Sequence, residues 1–209
     1  MTPSDTNASM HDRAIQQFWS WFEGIAEVLA ERFEDEALLD ELHRRVRAIG
    51  DIWWEIGPGV HETCALTLTP DGDVNRLALT QRAVAMAPSI PGWELHPARP
   101  KKSWKLRFTL QTAGGRVEID ASTWRYVLFR YPDDMFDVVL EQPGLDTLTD
   151  EDRYTAAIIV LDAELGEVTR LRTIAGVEPT VKLEESIATR ANPIEVLAQH
   201  IASLSARSE

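Results

Sequence analysis

Cysteine is almost missing from this chain: Cys64 is the single one, so no internal disulfide can close, and no further ligands gather around it at zinc spacing. That usage fits a reducing compartment. Long apolar runs are missing as well. The longest, Ala156 to Leu161, has six residues, against roughly 20 for a helix that spans a bilayer. From Met1 to Ser9 there is no basic segment followed by an apolar one, so no secretory leader is expected. The chain also lacks a glycine-rich phosphate loop ending in Lys-Ser/Thr, a dinucleotide fingerprint and a serine elbow. These absences point to a cytoplasmic protein with no membrane span, and they name no reaction.

Positive charge is scarce overall but concentrated. The 209 residues hold 21 Lys and Arg against 34 Asp and Glu, a net charge of −13. A surface of that sign repels polyanions, which disfavours nucleic acid as a partner. Residues 91–130 run against the trend, with eight basic and three acidic residues, whereas 131–209 hold six and sixteen. The basic block carries Arg99, Lys101, Lys102, Lys105, Arg107, Arg116, Arg125 and Arg130 beside Trp93, Trp104, Phe108, Trp124, Tyr126 and Phe129. Single-strand binders use such a mixture for phosphate contact and base stacking. Strand alternation opposes that use between Trp104 and Leu110, because the aromatic and leucine positions share one face and Lys105 and Arg107 the other. Around Trp124 both faces carry aromatics, as expected of a central strand or of a recognition surface.

Periodicity sets the expected architecture. Apolar residues at Ile15, Phe18, Trp19, Phe22, Ile25, Ala26 and Leu29 mark a helix that Ser9 and Asp12 would cap, after a disordered leader over 1–8. A second helix is expected from Asp35 to Ile49, with Leu38, Leu42, Val46 and Ile49 inward and charges ordered to suit the helix dipole. The runs Ile52–Ile56 and Thr63–Thr69 read as a hairpin, and Val74–Ala87 as a helix stopped by Pro88. Strands are expected over Trp93–His96, Trp104–Thr112, Arg116–Ala121, Trp124–Tyr131 and Met135–Glu141, with Gly114-Gly115 as a hairpin turn. Thr149 caps a helix ending at Gly166, Val168–Ile174 is a strand or a continued helix, and Asn192-Pro193-Ile194-Glu195 opens the final helix. The expected fold is α+β, with a largely antiparallel sheet, helices mainly on one face, an N-terminal helical hairpin over 9–50 and a C-terminal helix. Gly50-Asp51 offers no linker, so 9–209 is expected to form one domain.

Three constellations could carry chemistry. Asp71-Gly72-Asp73-Val74-Asn75 copies the start of a calcium loop, but Arg76 and Arg82 replace its glycine and its glutamate, leaving a turn and a helix cap as the better reading. His61, Glu62 and Cys64 could pair base and nucleophile, yet on a strand His61 and Cys64 point to opposite faces. The carboxylates at Asp133, Asp134 and Asp137, and at Asp150 to Asp152, begin elements after turns, where dipole and turn roles outweigh acid–base catalysis.

Two stretches resemble segments of uncharacterised bacterial proteins of unknown function. They are Met86-Ala-Pro-Ser-Ile-Pro-Gly-Trp-Glu-Leu-His-Pro-Ala-Arg-Pro-Lys101 and Leu161-Asp-Ala-Glu-Leu-Gly-Glu167. That resemblance implies a bacterial intracellular domain and transfers no activity, ligand or site.

The expected function is non-catalytic binding of a protein partner, with toxin neutralisation as one form, since an acidic surface can mask a basic active site. Alternatives are a hydrolase assembled from dispersed carboxylates or His96 with nearby arginines, and single-stranded nucleic-acid binding through 91–130. Candidate binding residues are Trp54, Trp93, His96, Arg99, Lys101, Lys102, Arg107, Trp124 and Arg125. No catalytic residue, metal ligand or cofactor is assigned. Trp53 and Trp54, adjacent on a strand, should face opposite ways.

Overall fold

The computed structural model describes residues 3–206 and has a mixed α/β fold, rich in antiparallel pairing, with a helical pair at its N-terminal end and a helix at its C-terminal end. The chain divides at Arg99/Pro100 into two compact units. Each has its own apolar core. Residues 97–106, with Pro97 and Pro100, hold no helix or strand and carry the chain from one unit to the next.

In the first unit, α1 (Pro3–Glu31) and α2 (Glu36–Ile49) precede the hairpin β1 (Trp53–Pro58) and β2 (Cys64–Thr69), then α3 (Val74–Ala85) and β3 (Trp93–His96). Strand β2 pairs antiparallel with β1 and parallel with β3, across the α3 connection. Helix α1 starts well ahead of the expected cap: Ser9 lies inside the helix, and the expected leader is helical from Pro3, with residues 1 and 2 outside the described residues. The expected stripe does its work, since Ile15, Phe18, Trp19, Phe22, Ala26 and Leu29 are all buried with Leu42, Val46 and Ile49 of α2. Asp35 caps α2 by accepting from the amides of Ala37 and Leu38, and Asp73 caps α3 by accepting from that of Asn75. The indole N–H groups of this core find carbonyls: Trp19 donates to Ala83 at 2.7 Å and Trp93 to Ala26 at 3.2 Å. Burial of such rings, at about 1.5–3 kcal/mol for a Phe-sized side chain, therefore leaves no indole N–H of these two residues unsatisfied.

In the second unit, the hairpin β4 (Arg107–Thr112) and β5 (Gly115–Asp120) comes first. A four-stranded sheet follows, built from β6 (Arg125–Arg130), β7 (Phe136–Glu141), β8 (Ile174–Thr180) and β9 (Asn192–Pro193), in the order β8-β7-β6-β9. The helices are α4 (Asp150–Leu165), α5 (Glu167–Thr173), the single turn α6 (Glu185–Ala188) and α7 (Leu197–Ser205). One face of the sheet, through Tyr126, Leu128, Phe136, Val138 and Leu140, joins Ala156, Ala157, Val160 and Leu161 of α4 and Leu197 and Ile201 of α7 in the core.

Three departures from the expected elements have local causes. The strand expected from Trp104 starts only at Arg107, because Leu106 sits at φ 56°, a left-handed conformation that breaks the extended run. Upstream of it the chain is held to the end of α4, where the Lys102 amide donates to the Ala163 carbonyl at 2.8 Å. Gly166, at φ 77°, ends α4, and the chain re-enters a helix over 167–173, with Glu167 in its first turn and Arg170 and Arg172 in its last. That helix is the helical alternative at 168–174; an unexpected strand comes after it, as β8, parallel to β7. Finally, Asn192 and Pro193 do not begin the last helix. They pair with Tyr126 and Arg125 at a sheet edge, where a proline is tolerated, and α7 follows a 3₁₀ turn at Ile194–Val196.

Candidate functional site

The candidate binding residues fall into two groups, and the tryptophans come first. Trp93 and Trp124 are buried, at 6% and 1% exposure. Trp93 meets the Phe22 ring edge-on at 5.0 Å. Trp54 is half-buried against the first unit's core, while Trp53 on the opposite face is exposed, with the His43 ring 5.4 Å away and the Arg47 guanidinium 5.5 Å from its ring centre. The aromatic rings of the basic block therefore act mainly as core. Trp104 is intermediate: its N–H donates to Glu164 Oε1 at 3.0 Å and its ring lies 5.8 Å from Phe108.

The cations form the second group, and most are paired. Arg99 contacts Glu55 at 2.5 Å and Asp71 at 3.2 Å; Arg107 contacts Asp120 at 2.8 Å; Arg125 contacts Glu141 at 2.7 Å. Arg130 pairs with Asp134. His96 sits 3.2 Å from Glu94. Among the described residues Lys101, Lys102, Lys105 and Arg116 make no ion pair. Four of the block's eight cations are thus paired with carboxylates and four are not.

The other constellations are occupied by structure. Glu94, not His61 or Cys64, organises the loop after β1: its Oε1 accepts the amides of His61 and Glu62, the latter at 2.8 Å. Those two bonds hold the Glu94 carboxyl well below its ordinary range, at about 2. Asp71 and Asp73 serve a turn, an ion pair and a cap. Asp150 pairs with Arg153, and Thr149 caps α4 by accepting the Asp152 amide. In α2, Arg44 and Arg45 both bond to Glu41, which their hydrogen bonds lower to about 2. The histidines are dispersed: His11 bonds to the Ile49 carbonyl and His200 to the Tyr126 hydroxyl at 2.9 Å. Burial pushes that phenol up to about 12. No group of three His, Cys, Asp or Glu suited to a metal occurs among the described residues, nor does any of their helices have the length and apolarity to cross a membrane.

What the sequence did not single out is a groove of about 460 Å³ on the second face of the four-stranded sheet. Alternation along β6 and β7 turns Phe129, Asp137 and Val139 away from the helical core, and β8 adds Gly176, Glu178 and Thr180. The segment after β8 forms the wall, through Lys182, Glu184 and Ile187. The Leu183 amide ties that wall to the sheet by donating to Glu141 Oε1 at 3.0 Å. A bulge lies at the groove's end, where Phe136 and Asp137 pair with Ile174 and Gly176, leaving Ala175 extra. There Gly176 leaves room for Asp137: a Cβ would lie 2.6 Å from Asp137 Oδ1, and that carboxylate would have to turn aside. The Tyr131 hydroxyl donates to Asp137 Oδ2, which raises the phenol's pKa. Hence Asp137 is held over β8 by a glycine on one side and a phenol on the other. The first unit has a more open depression of about 580 Å³ beside α1 and α2, where Arg45 lies 4.8 Å over the Trp21 ring.

Known proteins supply no analogy for this arrangement: no family model matches the chain, and neither a curated protein nor a solved structure is significantly similar to it.

Proposed function

We propose that this protein is a non-catalytic protein-binding module of the bacterial cytoplasm whose partner presents a basic surface. The observation that carries the reading is the acidity of the chain, together with the internal pairing of half the cations of its basic block. With Arg99, Arg107, Arg125 and Arg130 each facing a carboxylate, the net charge of −13 is left to dominate the surface. Such a surface steers a cationic partner and repels an anionic one. Burial of Trp93 and Trp124 removes two of the platforms on which bases would stack. Of the carboxylates considered for hydrolysis, Asp133, Asp134, Asp150 and Asp152 have turn, ion-pair or cap partners, which supports binding over catalysis. One form of this reading is neutralisation of a toxin whose basic active site the acidic surface would cover. A lone thiol such as Cys64 stays reduced in that compartment.

The test is capture from a native lysate at low salt, followed by reconstitution with each purified candidate. The expected result is a stoichiometric complex with a basic protein, weakened as salt rises. Labelled single-stranded DNA is titrated in parallel. Failure of every captured protein to reconstitute overturns the reading. So does tight DNA binding that is lost when Lys101, Lys102 and Lys105 are changed to Glu.

A further inference from the structure

The groove on the second sheet face of the Pro100–Glu209 unit has a chemistry of its own. Its floor is apolar, formed by the Phe129 ring and the Val139 side chain, and carboxylates from three elements stand around it: Asp137 on β7, Glu178 on β8 and Glu184 before α6. Lys182 is the one cation among the lining residues and Arg190 stands over the floor, so the groove keeps one negative charge in excess. Its volume of about 460 Å³ falls within the ~300–1,000 Å³ typical of binding sites. The protein itself shows what this floor accepts, because the Arg190 guanidinium lies 5.0 Å over the Phe129 ring.

We propose that this groove is the seat of the partner, and that its occupant is an extended segment of the partner protein in which arginine alternates with an aliphatic residue. An extended chain sends alternate side chains to the same side. Its arginines can then reach the carboxylates of Glu178 and Glu184 while their stems and the aliphatic residues cover Phe129 and Val139. The Asp137 carboxylate, fixed by Gly176 and Tyr131, supplies a pre-set acceptor and fixes where the first guanidinium binds. The inference rests on the reading of the protein as a binder of basic partners and adds the location and the form of the ligand.

The experiment uses the full chain, a fluorescein-labelled peptide of alternating arginine and leucine, and its counterpart with glutamate for arginine. Binding is read by anisotropy, and its location by amide shifts in a ¹⁵N-labelled sample. Two variants carry the same charge change: Glu178→Lys with Glu184→Lys in the groove, and Glu27→Lys with Glu31→Lys on the exposed side of α1. Expected are shifts at Val139, Gly176 and Val177, no binding of the glutamate peptide, and affinity lowered roughly tenfold by the groove variant, since two attractive pairs are lost and become repulsive. The α1 variant should change affinity far less. Equal weakening by both variants, or shifts confined to other elements, overturns the groove as the seat and leaves the broader reading standing. Absence of any binding by the arginine peptide also overturns the groove; the broader reading then stands or falls by reconstitution with the captured partner.

Discussion

Replacing Arg170 with Met should unfold the second unit at markedly lower denaturant, and the cause is charge left behind and not packing lost. Arg170 donates from Nε to Asp162 of α4, with a second contact at 3.5 Å, and the two side chains are only 9% and 5% exposed. Glu167, one turn earlier on α5, is fully buried as well. Methionine can fill much of the space of the arginine stem, but it leaves the Asp162 carboxylate in the interior without its guanidinium. Breaking one side of a buried pair costs about 3–5 kcal/mol, a large share of the ~5–15 kcal/mol that stabilises a typical domain. Changing Asp162 to Leu in the same chain removes the carboxylate that Arg170 balanced, and the double variant should regain part of the loss. The assay is urea denaturation combined with native-state hydrogen exchange at β7 and β8 amides, which reports the second unit by itself. With a slope of about 1–3 kcal/mol per molar urea, the single variant should move the midpoint by more than about 1 M. A loss below about 1 kcal/mol for Arg170→Met, or a double variant no more stable than the single one, would refute the reasoning. The consequence reaches the groove, since α5 runs directly into β8 and its anchorage on α4 sets where Gly176 meets Asp137.

Two further outcomes follow from the same geometry. Gly176→Ala should turn the Asp137 carboxylate aside at a cost below about 1 kcal/mol, because the new methyl group would lie 2.6 Å from Oδ1, the end of a side chain that can rotate; unchanged Tyr131, Val139 and Val177 amide shifts would show that Asp137 is not held there. Glu94 has its folded pKa depressed from 4.5 to about 2, so the tether it makes is complete above pH 4.5 and is lost as pH falls through about 2. Protection of the His61 and Glu62 amides should therefore persist at pH 4, and Glu94→Gln should reduce it at every pH; loss of protection in the native protein near pH 4.5 would contradict the assignment.

Residues whose roles are local were legible before any coordinates. The stripe on α1, a cap before α3 and the Thr149 cap depend on neighbours a few positions away, and each is found where spacing placed it, while the hairpin turn falls one residue ahead of Gly114-Gly115, since Gly115 already pairs with Thr112. Strand β8 was not legible, because Gly176 and Pro179 both weaken strand propensity; its stability comes from pairing with β7, a neighbour more than thirty positions earlier in the chain. The pairing of the basic block was hidden for a related reason. Its eight cations look like a patch when counted along the chain, whereas the carboxylates that neutralise Arg99 and Arg125 come from Glu55, Asp71 and Glu141, outside the block. The groove combines both difficulties. Asp137 was visible as one of several carboxylates after a turn, but what separates it from Asp133 and Asp134 is a glycine on a strand that local periodicity did not reveal. Charge counted in blocks therefore identifies the sign of a protein's field, while the point at which that field becomes a site depends on pairings across the sheet; here β6, β7 and β8 bring Phe129, Asp137 and Glu178 into one groove.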